Sequence, residues 1–264
     1  MALVSSISNW YHQNVVLGGD PRTKGWFMVD SPIPVFFILV GYYLFVQKIG
    51  PWIMKDRKPM ELRGIMLAYN AVQVVLCLGF LYHIKEMPFK ENWICCERLT
   101  DDHDRNYKMA AMGWFYYMVK FIDLIDTIFF VLRKKQSHIT FLHLFHHISM
   151  VTVSWALMKY ISSGVLAIGP LLNMWVHSFM YTYYFAVLYY GKISLFWKKL
   201  MTKIQIAQFL IGTSIFIVNF ANPYCNFPKL LLVPVIMHGC SFIYLFSKFY
   251  YNAYIRSPLK QKSN

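Results

Sequence analysis

A chain of 264 residues that is 57% hydrophobic and only 14% charged is too apolar for an ordinary soluble domain, where apolar residues approach half and charged ones about a quarter. It belongs in a membrane. The formal charge of +14 would suit nucleic acid if it were gathered on one face, but Lys and Arg fall in short runs between apolar stretches, which excludes that class and fits positive-inside sorting.

The N-terminal residues lack a basic region ahead of a small-residue cleavage site, so the first span is expected to be retained as the address. A bilayer core needs about 20 apolar residues per helix. Seven stretches meet that need, at roughly 33–50, 62–84, 109–132, 138–158, 165–190, 200–221 and 228–250. No linker or short repeat divides them, and a single membrane-embedded domain over residues 1–264 is expected. Residues 48–63, 133–135, 191–203 and the tail from Lys248 together hold 16 basic residues against Asp56 and Glu61. The alternate segments hold nine basic against eight acidic residues. The first set should face the cytosol, which leaves the N-terminus (1–32) lumenal and the tail (251–264) cytosolic.

Cys95, Cys96 and Cys225 then fall in lumenal loops, where an oxidising compartment allows a disulfide, and Cys96 with Cys225 is the expected pair. Lys260 and Lys262 match a dilysine retrieval signal of the endoplasmic reticulum, although a basic cytosolic tail is also what charge bias alone produces.

Four polar patterns interrupt the apolar spans. In the third, Lys120, Asp123 and Asp126 stand at i, i+3 and i+6 with Thr127 at i+7, on one helix face. Such charges are costly in a membrane and usually face a bundle interior. Two readings stay open for Lys120 and Asp123: a functional pair, or an ion pair that only neutralises itself. In the fourth span FLHLFHHISM puts His143, His146 and His147 on one face. One such histidine would be an ordinary hydrogen-bonded core residue, whereas three make a reagent or a ligand set. The fifth span carries Asn173, His177, Tyr181 and Tyr184, and the sixth Thr202, Gln205 and Gln208. Either stripe alone is more often helix-packing glue. All four patterns reach similar depth and are expected to share one cavity opening to the cytosol. Arg133, Lys134 and Lys135, with Lys198, Lys199 and Lys203, would ring its mouth and suit a phosphate-bearing substrate; positive-inside bias accounts for them as well.

These motifs resemble, in order, those of the very-long-chain fatty acid elongase family. KFIDLIDT from Lys120 is similar to K-x-x-E-x-x-D-T, HLFHH from His143 to the histidine box, HSFMYTYY from His177 to H-x-x-M-Y-x-Y-Y, and TKIQIAQ from Thr202 to T-x-x-Q-x-x-Q. Asp123 stands where that pattern usually has Glu. The resemblance implies an all-α polytopic fold in which spans two to seven form a helical barrel around a closed tunnel, with span one outside. It implies condensation of long-chain acyl-CoA with malonyl-CoA to 3-oxoacyl-CoA, CO2 and CoA, with no cofactor and no metal. It also implies membrane lipids, a homo- or hetero-oligomer and the ketoacyl reductase, dehydratase and enoyl reductase of the cycle as partners, and no nucleic acid.

Condensation requires an acyl acceptor and a means of handling the decarboxylation enolate. No suitably placed Cys exists, and neutral imidazole is a competent nucleophile near pH 7. His146, matching the central box histidine, is therefore expected to carry the acyl group, with direct attack on acyl-CoA as the alternative. His177 would orient or decarboxylate malonyl-CoA with Asn173 and Gln205 as donors, while His143, His147, Lys120 and Asp126 set tautomers and charge. Tyr181, Gln208, Thr202, Arg133, Lys134, Lys199 and Lys203 complete the substrate contacts. Two other classes remain: a di-iron desaturase or hydroxylase, which needs about eight clustered histidines where only the box and His177 share the cavity, and a seven-span transporter using the same buried charges.

Overall fold

The computed structural model describes residues 6, 9–13, 18–85, 103–160, 164–191, 193–225 and 227–256. Among the described residues the regular structure is entirely helical. A helix stands at each of the seven predicted spans: α1 (Pro32–Met54), α2 (Arg63–Lys85), α3 (His103–Asp123) continued by α4 (Ile125–Leu132), α5 (Phe141–Tyr160), α6 (Ile168–Tyr190), α7 (Leu195–Ala221) and α8 (Lys229–Tyr250). Five of these stretches are long and apolar enough to cross a membrane: α1, α2, α5, α7 and α8. The third predicted span differs because it is broken at Leu124 and carries Lys120, Asp123 and Asp126; the fifth because Asn173, His177 and its tyrosines lower its hydropathy. The loop with Cys95 and Cys96 and the tail with Lys260 and Lys262 lie outside the described residues. Cys225 is disulfide-bonded, and the Cys96 side of the expected pairing falls in that same undescribed loop.

The chain divides into two compact units, Met1–Leu62 with Asp101–Leu166 and Arg63–Thr100 with Ala167–Asn264. In the first unit α1 starts on a Ser31 cap that accepts from the Ile33 N–H at 3.2 Å, with Pro32 at the first turn. Pro51 has no N–H to offer the turn before it, and the helix widens there into a π turn, Phe45–Ile49, in which Gly50 N–H reaches back to Phe45 O. Gly50 also lets α1 approach α4: a Cβ there would lie 2.5 Å from Val131 Cγ1. The core joins α1, α3, α4 and α5 through Val35, Tyr42, Val46, Tyr117, Val131 and Val151.

Residues 20–29 form a strap across one end of this unit. Asp20 N–H donates to Lys159 O (2.8 Å) and Thr23 Oγ1 to Met158 O (3.2 Å), while Asp20 and Arg22 form an ion pair and Arg22 also donates to Asn106 O. Trp114, Tyr117 and Trp155 donate to the carbonyls of Phe27, Met28 and Val29. These bonds satisfy strap backbone that would otherwise be stranded between helices.

In the second unit α2 lies along α6. Arg63 caps the far end of α6, donating to Leu188 O (3.0 Å) and Tyr189 O (3.2 Å), where a cation also complements the helix dipole. Gly191, at φ 88, ends that helix. α7 begins on Ser194, which accepts from the Phe196 N–H, and packs on α8 through Phe209 and Phe242, whose ring centroids are 4.8 Å apart. Gly239 of α8 presses on the Thr213 hydroxyl, leaving no room for a Cβ.

Candidate functional site

The histidine box begins within the first turn of α5, which is capped by Thr140: its Oγ1 accepts from the His143 N–H at 3.2 Å. From this start the three imidazoles pack against one another. His143 and His147 have ring centroids 4.4 Å apart at 59°, and His146 meets His147 edge-on at 5.3 Å. His147 is buried and the other two are half-buried. Thr127 Oγ1 lies 2.8 Å from His143 Nε2 and 2.7 Å from the Tyr42 hydroxyl.

Lys120 and Asp123 form an ion pair of 2.7 Å with side chains only 1% and 2% exposed. The Lys120 ammonium also sits 4.8 Å above the Tyr116 ring, a cation–π contact that strengthens when desolvated. Both charges act on His147. Asp126 is half-buried and acts electrostatically on Tyr42. The third span, read from the sequence as one continuous helix face, is interrupted here. At Leu124 the chain tightens, with Leu124 N–H to Phe121 O and Thr127 N–H to Leu124 O, so the helix is interrupted between Asp123 and Asp126. Asp123 meets Lys120 one turn back on the same helix, and Thr127, beyond the interruption, meets α1 and α5.

The first unit thus gathers Lys120, Asp123, Asp126, His143, His146 and His147. Of the expected mouth cations in this unit, Lys134 does not stand free: its Nζ donates to Lys55 O at 2.9 Å and its backbone takes φ 54.

The second unit holds the other set. Asn173, His177 and Tyr181 are buried on α6, and Tyr184 of the same predicted stripe is exposed. Tyr181 accepts from Gln73 Nε2 (3.3 Å) and packs on Tyr69 and on His177. On α7, Gln205 Nε2 donates to Met180 Sδ at 3.5 Å, Gln208 is buried, and the Thr202 hydroxyl bonds back to Lys198 O. Lys199 and Lys203 reach over the rings of Tyr254 and Tyr250.

Sequence reasoning missed Tyr42, Tyr116, Tyr69 and Gln73. Gln73 left a signal, since Asn70 and Gln73 stand one turn apart in an apolar run and both are buried. Tyr42 left none. Among the described residues no group of three or more His, Cys, Asp or Glu is arranged to hold a metal ion.

Chemically the first unit offers a packed imidazole cluster beside a desolvated ion pair. That combination suits nucleophilic or proton-transfer work at an acyl carbon. The family model described as ELO, the GNS1/SUR4 family, matches residues 27–262. Very long chain fatty acid elongase 7 of Rattus norvegicus is 36% identical, covering 96% of this chain and 92% of the rat protein. Very long chain fatty acid elongase 1 of Homo sapiens is 34% identical, over 96% and 92%. An elongase of Aedes aegypti is 35% identical over 96% of this chain and 72% of its own.

Proposed function

Since the chain belongs to the ELO (GNS1/SUR4) family, we propose that it elongates fatty acids as a 3-oxoacyl-CoA synthase, joining long-chain acyl-CoA to malonyl-CoA. The observation that carries this is the packed trio of His143, His146 and His147 beside the buried Lys120–Asp123 pair. The enzyme is a multi-pass protein of the endoplasmic reticulum membrane, with spans two to seven enclosing the acyl chain and span one outside them.

An imidazole nitrogen of His146 attacks the thioester carbonyl, the C–S bond breaks, and the thiolate leaves as CoA. Malonyl-CoA then loses CO2, and its enolate carbon attacks the acyl-imidazole carbonyl. The C–N bond breaks, which restores His146 and releases 3-oxoacyl-CoA. His177, with Asn173 and Gln205, orients the malonyl thioester. The 3-oxo product calls for reduction, dehydration and a second reduction, so enzymes of those three classes are its partners. Neither redox cofactor nor metal takes part, and turnover should persist in strong chelators.

Incubation with acyl-CoA alone tests the mechanism. Free CoA and one acyl mass on the His146 peptide are expected, and both should vanish in His146→Ala. Release of CoA only after malonyl-CoA is added, at normal turnover, would overturn the acyl-imidazole. Failure to incorporate labelled malonyl-CoA with any acyl-CoA of a chain-length panel would overturn condensation itself.

A further inference from the structure

Three side chains from three helices form one hydrogen-bonded chain in the first unit. The Tyr42 hydroxyl on α1 lies 2.7 Å from Thr127 Oγ1 on α4, which lies 2.8 Å from His143 Nε2 on α5. Tyr42 is 7% exposed and Thr127 0%, so water does not compete for these bonds. Each hydroxyl carries one hydrogen. Thr127 can therefore donate along only one of its two contacts and must accept along the other. A phenol is the most acidic donor of the three and an unprotonated imidazole nitrogen the most basic acceptor. The chain runs from Tyr42 O–H to Thr127 Oγ1, and from Thr127 O–H to His143 Nε2.

We infer that Tyr42 is a positioning residue, which through Thr127 keeps Nε2 of His143 unprotonated and its ring proton on Nδ1. The consequence passes along the box. His143 packs at 4.4 Å on His147, which meets His146 at 5.3 Å. An imidazole free to change tautomer would turn the dipole it presents to the packed His147 ring, and the acyl-accepting ring would lose its fixed neighbour. The catalytic part of this inference rests on the proposed condensation; the tautomer does not.

Nitrogen NMR of the full-length protein in detergent, labelled with 15N-histidine and assigned by loss of the His143 signals in His143→Asn, tests the relay. In the wild type Nε2 of His143 should resonate as an unprotonated nitrogen and Nδ1 as a protonated one. Tyr42→Phe keeps the ring and its packing but removes the donor, so the two signals should move toward averaged positions. Thr127→Ser should keep the wild-type pattern and Thr127→Val should lose it. Tyr42→Phe should also lower kcat by about tenfold with little change in KM, the scale set by one buried hydrogen bond, while melting close to the wild type. Unmoved His143 signals in both Tyr42→Phe and Thr127→Val would overturn the relay, whatever the activity. A shifted tautomer with unchanged kcat would overturn the positioning role. Absence of condensation in the wild type would strike the proposed function instead, leaving the NMR result to decide the relay.

Discussion

Lys120 and Asp123 keep both of the roles that their spacing left open. Their 2.7 Å contact, nearly sealed from solvent, is the geometry of a self-neutralising pair, yet each charge also acts on His147 of the box, in opposite senses. A buried ion pair is often no more stabilising than an apolar pair of similar volume, whereas removing one partner strands a charge at a cost of about 3–5 kcal/mol. Lys120→Met and Asp123→Leu alone should each lower the unfolding temperature in detergent sharply, and the double variant should recover most of the loss. Activity separates the roles: if the pair serves the box, the double variant should stay inactive although it folds. Recovery of condensation along with stability would make the pair structural only. Asp123→Glu offers a third reading. The added methylene must find room in a site that is 2% exposed, so a cost of about 1–3 kcal/mol is expected from overpacking, measured by the same unfolding experiment.

Helix α1 shows how backbone and packing cooperate. Its π turn, Phe45–Ile49, precedes Pro51, and Gly50 at the end of that turn is where α1 closes on Val131 of α4. Gly50→Ala should therefore destabilise the protein by about 1–3 kcal/mol through strain, while Gly64→Ala, with open space around it, should be neutral or slightly stabilising because α2 gains helix propensity. Thermal unfolding of the two variants checks the contrast. The positions of the helices were legible because apolar runs of membrane length leave little else for the backbone to do. The interruption at Leu124 was not, since FIDLIDTIFF contains no Gly or Pro to mark it. The histidine box and the Lys120–Asp123 pair were legible because polar groups are conspicuous in such runs. Tyr42 was not: it adjoins Tyr43 in an apolar stretch, and only packing makes the first 7% and the second 47% exposed.

At the scale of the whole molecule, the number of crossings turns on the two least apolar helical stretches, α3 with α4 and α6. Five crossings would leave neither stretch across the membrane, α3 with α4 staying lumenal and α6 cytosolic; seven would send both across. The contacts inside each unit favour seven. Asp20, ahead of α1, bonds to Lys159 at the end of α5, so those two ends lie at one level and the helices run antiparallel. α3 starts at that level, where Arg22 meets Asn106, and the α3–α4 stretch runs on to Thr127, which meets α1 midway and α5 at its opposite end, in its first turn. In the second unit Arg63 at the start of α2 holds Leu188 at the end of α6, and Gln73 meets Tyr181 further along. Each doubtful stretch therefore runs beside an apolar one over the same depth. Glycosylation acceptors carried on short inserted loops provide the test. Sites near Asp102 and in residues 191–203 should be modified and unmodified respectively, but five and seven crossings agree there. The deciding sites are Gln136–His138 and residues 161–163. Seven crossings leave the first, beside Arg133, Lys134 and Lys135, on the cytosolic side that basic loops prefer, and the second lumenal. An unmodified acceptor at the first and a modified one at the second are expected; the reverse pair of results would reduce the crossings to five and remove the enclosed acyl tunnel from the proposed function.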